Sequence, residues 1–193
     1  MSPLAEREKQ QLLQVARRAL TAGVQKQEFL PGFSDDEILR QPGGAFVTLH
    51  LRKRLRGCVG QLPSQDPLVE VVAHCAKAAA LADPRFKPVP PEELAEIAIE
   101  LSILSPLEDV TLEKIAAGTH GLVVSRGWQR GVLLPQVAAE FKWQAARFLE
   151  ETCVKAGLER EAWKDPQTRV QAFTAEVFSE RAHDPGEAEK PLR

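Results

Sequence analysis

Three cysteines in 193 residues, at positions 58, 75 and 153, are too few and too widely spaced for a disulfide framework. Their odd number points to a reducing compartment. There is no CxxC pair, no HExxH motif and no cysteine–histidine pair at zinc spacing, which argues against a structural zinc. No apolar run is long enough to span a bilayer. The opening Met1-Ser2-Pro3-Leu4-Ala5-Glu6-Arg7-Glu8 is too polar for a signal peptide, so a cytoplasmic location is expected. Net charge is also small, at -2. It gives no global pull toward nucleic acid or membrane, and any anion recognition has to come from a local patch. Repeats, low-complexity tracts and long linkers are missing as well. That leaves one domain over residues 1–178 and a polar tail over 179–193. The 44% hydrophobic content is that of an ordinary globular chain, one able to bury roughly 70% of its unfolded surface.

What stands out is Leu55-Arg56-Gly57-Cys58-Val59-Gly60, with two glycines, an arginine and a cysteine in six residues. The basic run Arg52-Lys53-Arg54 precedes it, and before that residues 45–51 alternate as a strand. Residues 55–60 continue as a second strand. Pairing Leu51 with Leu55 keeps the apolar faces together, and it sets His50 opposite Arg56 and Thr48 opposite Cys58. Leu55, Gly57 and Val59 then fall on the packing side, and Arg56, Cys58 and Gly60 on the other.

Elsewhere, apolar spacing predicts a helix over residues 5–24 that stops at Gly23. Pro31-Gly32 reads as a turn and Ser34-Asp35-Asp36-Glu37 as a helix start. A second long helix begins with Asp66 as N-cap and Pro67 in the first turn, and ends at Asp83-Pro84. Residues 97–104 form the clearest strand. A short helix over 112–117 and a hairpin around Gly127-Trp128-Gln129-Arg130 follow. Helices over 135–141 and 143–156, and one strand over 168–178 with Phe173, Ala175 and Val177 inward, complete the chain. Local hairpins separated by helices predict an α+β fold with antiparallel sheets and flanking helices, rather than a doubly wound sheet.

The hexapeptide resembles the Leu-Arg-Gly-Cys-Ile-Gly hallmark of the AMMECR domain family, called AmmeMemoRadiSam system protein A in prokaryotes. Other segments similar to that family follow in order. They are Ala45-Phe46-Val47-Thr48, Asp83-Pro84-Arg85-Phe86 and Glu100-Leu101-Ser102-Ile103-Leu104-Ser105-Pro106. Then come Gly118-Thr119-His120-Gly121-Leu122 and Leu134-Pro135-Gln136-Val137-Ala138. Two departures are visible. Val59 replaces an isoleucine, and Trp143-Gln144 stands where the family often has Trp-Asp. The resemblance implies one compact unit with a larger and a smaller lobe and a cytosolic home. It also implies association with a Memo-like protein and a radical SAM protein. It supplies no reaction and no cofactor.

Two kinds of chemistry fit these residues. In the first, residues 56–60 present a surface to a partner or to a small, anionic ligand. Gly57 and Gly60 would allow close approach, and Thr48, Asp83, Arg85 and Glu100 would border the surface. In the second, Cys58 is a nucleophile, Arg56 favours its thiolate and binds an anion, and His50 or His120 serves as base. Its substrate would be a carbonyl, a phosphate or a modified nucleic acid. The bland reading of Cys58 is a small residue filling a strand position. Arg56 needs a partner, for which Asp83, Glu100 or an anionic ligand are the candidates. His120 also reads as a hydrogen-bonding turn residue, Arg85 as an ion pair with Asp83, and Glu100 as the partner of a basic residue. No complete triad, metal set or phosphate loop is legible, which favours the accessory or binding role.

Overall fold

The computed structural model describes residues 3–31 and 37–180. In chain order these form α1 (Glu6–Val24), α2 (Glu37–Arg40), β1 (Gly44–Leu51), β2 (Arg54–Gln61), α3 (Leu68–Leu81), β3 (Ile97–Leu104) and β4 (Glu108–Asp109). There follow β5 (Gly121–Arg126), β6 (Gln129–Leu133), α4 (Pro135–Glu140), α5 (Ala145–Lys155), β7 (Arg169–Phe173) and β8 (Ala175–Ser179). The fold is α+β with two antiparallel sheets, as the local hairpins predict. Gly32 of the expected Pro31-Gly32 turn, residues 34–36 of the expected Ser34-Asp35-Asp36-Glu37 helix start and the tail beyond Glu180 lie outside the described residues.

The chain divides into two compact units. The larger runs through Leu104 and resumes at Glu176. The smaller comprises Ser105–Ala175. The larger unit's sheet has the order β2-β1-β3-β8. One face carries Ala45, Val47, Leu49, Ile97, Ile99, Leu101 and Ile103, all essentially inaccessible. These pack with the apolar stripes of α1 and α3 into one core. Burial of this order, at roughly 25 cal/mol per Å² of apolar surface, is what holds the sheet to its helices.

Gly23 is not the stop of α1. The helix continues to Val24, and Lys26 takes the left-handed conformation (φ 57°). The N–H of Lys26 donates to Gly23 O at 3.2 Å and that of Gln27 to Ala22 O at 2.8 Å. This is a Schellman closure with lysine in the usual glycine position. Gly23 serves packing instead, since a Cβ there would meet Lys77 Cγ of α3 at 2.9 Å. Asp66 is likewise no N-cap, because α3 starts after Pro67 without a side-chain cap. The Asp66 carboxylate accepts from Gln61 Nε2 (2.8 Å) and Ser64 Oγ (2.9 Å) instead.

The smaller unit holds the sheet β4-β7-β5-β6. Its core contains Leu122, Val124, Phe148, Leu149 and Cys153. The single strand expected over 168–178 is two strands in two sheets, broken at Thr174. There Ser105 N–H donates to Thr174 O, and Thr174 N–H donates to Ser105 Oγ, both at 2.9 Å. Phe173 is buried as expected, but Val177 is 44% exposed. Period-2 alternation specifies a face without specifying a sheet.

Candidate functional site

The β1–β2 hairpin turns on two residues, Arg52 and Lys53, both left-handed (φ 52° and 68°). That is the signature of the turn whose twist matches the flanking strands. Leu51 therefore pairs with Arg54 and His50 with Leu55, not with Leu55 and Arg56 as the alternation predicts. Farther from the turn the expected register holds: Leu49 faces Gly57, and Thr48 faces Cys58. The mismatch is absorbed by a bulge with Arg56 as the extra residue. Leu55 is thereby turned out of the packing face and is 42% exposed.

The bulge also redirects Arg56. Its Nε donates to Glu93 Oε2 at 2.7 Å and its Nη1 to Lys87 O at 2.9 Å. The partner of Arg56 is thus Glu93, neither Asp83 nor Glu100. The guanidinium anchors the 87–93 connector to the strand.

Gly57 lies under α3, where a Cβ would come within 2.2 Å of Ala79 O. Cys58 follows, and its two backbone polar groups point off the sheet edge. Its N–H donates to Asp83 Oδ2 at 2.8 Å, and its carbonyl accepts from Arg85 Nη2 at 3.2 Å. Asp83 and Arg85 are joined by a bidentate pair, Nε to Oδ1 at 3.0 Å and Nη2 to Oδ2 at 2.7 Å. The turn after α3 thus covers the outer edge of β2 at one residue, a way of satisfying an open edge. Asp83 is buried (4% exposed). Its carboxyl is held at about 2 chiefly by Arg85, against the opposing effect of burial and with help from the Cys58 and Arg85 N–H groups.

Because the backbone groups of Cys58 face outward, Thr48 and Cys58 form a close, non-hydrogen-bonded pair. Thr48 Oγ1 donates to Cys58 Sγ at 3.4 Å. On the other side of Thr48 stands Glu100. Cys58, Thr48 and Glu100 therefore form one row across three strands, all half-buried and all on the face opposite α3. The neighbouring row is Gly60, Phe46 and Ser102. The Phe46 ring lies directly over Gly60, where a Cβ would sit 2.1 Å from Cδ1. The glycine is what admits the ring. Phe46 was legible only as a strand residue, and the glycine opposite it was the available signal. The next row is Leu55, His50 and Ala98, so His50 shares the face but stands one row from the thiol.

His120 belongs to the smaller unit. Its Nδ1 accepts from the Ala116 N–H at 3.2 Å, a hydrogen-bonding turn residue. Cys75 and Cys153 are fully buried. Burial pushes the Cys75 thiol up to about 11 and raises that of Cys153. In the native chain at neutral pH, iodoacetamide is therefore expected to label Cys58 and to spare Cys75 and Cys153 until denaturant is added. Mass spectrometry of each cysteine peptide checks this, and equal native labelling of Cys75 would contradict the burial. Among the described residues, no three His, Cys, Asp or Glu side chains group as a metal set, and no helix is long and apolar enough to cross a membrane.

Comparison with known proteins agrees with the fold. The AMMECR1 family pattern matches residues 13–178. A Methanothermobacter thermautotrophicus protein is 43% identical over 188 residues, covering 93% of this chain and 97% of its own length. A Thermococcus gammatolerans protein is 40% identical over 193 residues, covering 94% of each. Among solved structures, an uncharacterized protein from Pyrococcus horikoshii superposes with a TM-score of 0.80 at 40% identity, covering 88% of this chain and 89% of that one. On the family match along most of its length and on relatives at this identity, the chain belongs to the AMMECR1 family.

Proposed function

We propose that this protein is a binding component that works with Memo-like and radical SAM proteins, presenting the face around Cys58 rather than turning over a substrate there. The observation that carries this reading is the commitment of Cys58. Its N–H is held by Asp83, its carbonyl by Arg85 and its sulfur by Thr48. Such fixing makes a rigid, preorganised surface, which favours recognition. Across the strand from the thiol stands a threonine, not an imidazole base. The surface expected at residues 56–60 shifts accordingly. Arg56 is tied down by Glu93, with only 14% of its side chain exposed, whereas the Arg85 side chain is 54% exposed beside Cys58.

Capture of a purified Memo-like protein and a purified radical SAM protein tests the reading. Arg85→Ala should lower capture about tenfold, the size of one interface arginine contact of about 1.4 kcal/mol. Capture unchanged by Arg85→Ala would remove this face from the interface. The competing reading, a Cys58 nucleophile acting on a carbonyl, phosphate or modified nucleic acid, draws on the half-exposed thiol. It requires alkylation of Cys58 at pH 7 well above the rate of free cysteine. The binding role predicts a rate no faster than free cysteine.

A further inference from the structure

The charges around the Cys58 face do not cancel as the basic run suggests. Three arginines of the region are each matched by a carboxylate: Arg52 by Glu96, Arg56 by Glu93 and Arg85 by Asp83. The acidic groups near the other edge of the sheet are matched too, Glu176 by Lys9 and Glu180 by Arg17. Glu100 is different. Among the described residues its carboxylate takes part in no ion pair or hydrogen bond, although it is half-buried in the middle of the sheet. A half-buried carboxylate without a counter-charge is an unfavourable arrangement that a bound cation would relieve. A second feature points the same way. In the adjoining row, the Phe46 ring is laid across Gly60 on the same face. Cations also bind over the faces of aromatic rings, and this ring stands on the same face one row away.

We propose that the Cys58–Thr48–Glu100 row receives a cationic group, an ammonium or guanidinium, with Glu100 as its counter-charge and Phe46 in the adjoining row. This rests on the binding role of the face and names the chemistry of what binds. The cation replaces the small anion that the basic residues of the hairpin suggested, because Arg52 and Arg56 already have their carboxylates.

Cys58 is a built-in reporter of the local potential. Its thiolate attacks the thiosulfonate sulfur of a methanethiosulfonate, forming a mixed disulfide and releasing methanesulfinate. The experiment compares two such reagents on the full chain at low ionic strength, one bearing trimethylammonium and one bearing sulfonate. Each rate at Cys58 is read by mass spectrometry and divided by the reagent's rate with free cysteine. Glu100 lies two strand spacings from Cys58, roughly 9–10 Å. Even at the dielectric of water, one carboxylate at that distance favours the cationic over the anionic reagent by about fourfold. The expected result is a ratio of that size or larger, falling toward one in Glu100→Gln and, in the unaltered chain, falling as salt is added. A wild-type ratio at or below one, a ratio unmoved by both Glu100→Gln and salt, or no native labelling by either reagent would overturn the proposal. Protection of Cys58 by n-butylammonium would identify a free amine as the source of the cation. Protection only by a lysine-containing peptide would identify a protein side chain, and protection by neither would overturn the proposal. These rates need no partner protein, so loss of partner capture in Arg85→Ala and loss of charge selectivity remain separate outcomes.

Discussion

Replacing Gly57 by alanine is expected to destabilise the larger unit by about 3 kcal/mol or more, the upper end of what overpacking a core does. The new methyl would stand 2.2 Å from Ala79 O and 3.1 Å from the Ala79 carbonyl carbon. Both are backbone atoms in the last turn of α3, so no side-chain rotation relieves the contact. Either α3 lifts off the sheet or β2 moves away from β1. Gly60→Ala makes an instructive contrast. Its methyl would meet the Phe46 ring at a similar 2.1 Å. A ring can swing about its side-chain torsions, so this variant should fold with a smaller loss while disturbing the face beside Glu100. Urea denaturation of both variants checks the order. A Gly57→Ala protein as stable as wild type would mean that β2 and α3 do not pack as closely as described.

The second large effect is expected at Asp83. Asp83→Asn should destabilise the chain by about 2–3 kcal/mol at pH 7, since it removes a charge-assisted bidentate pair and weakens the bond to the Cys58 N–H. The pH dependence has a definite sign. The carboxyl is held at about 2, below its ordinary 3.8, first by Arg85 and then by the backbone N–H groups of Cys58 and Arg85. A depressed carboxyl stabilises the folded state fully above the unfolded value. That contribution is lost as pH falls from about 4 through about 2. A shift of this size corresponds to about 2 kcal/mol. Wild type should therefore lose its advantage over Asp83→Asn across that acid window and keep it unchanged from pH 5 to 7. Denaturation midpoints at pH 7 and pH 2.5 measure it. An equal gap at both would show that the carboxylate's charge contributes nothing.

Both effects bear on function through one residue. Gly57 sets the distance between β2 and α3, and Asp83, at the end of α3, holds the Cys58 N–H. The helix, the strand edge and the thiol are thus mechanically linked. Arg56→Ala acts differently, releasing the 87–93 connector while leaving the Asp83–Cys58 bond in place.

Much of this was written in local pattern. Alternation over residues 45–51 and 97–104 assigned two central strands and their buried faces, and Thr48 was correctly set opposite Cys58. The Asp83-Pro84-Arg85 turn was legible as an ion pair, and the composition of residues 55–60 marked the site before any fold was known. What alternation cannot contain is where a distant segment passes. The connector's return past β2 makes Glu93 the partner of Arg56. The same holds for the split of 169–179 between two sheets, because each strand satisfies the same period-2 rule. The bulge at Arg56 arises from a competition invisible in either strand alone: the turn closed on two residues while the apolar faces required the next register. The sequence by itself determined the two central strands, their buried faces and which hexapeptide is unusual. Only the tertiary structure decided that Arg56 is an anchor, that Asp83 and Arg85 close the edge at Cys58, and that Glu100 has no counter-charge among the described residues. Those outcomes depend on hydrogen bonds and ion pairs made between segments tens of residues apart, and such pairs are chosen by packing, not by local propensity.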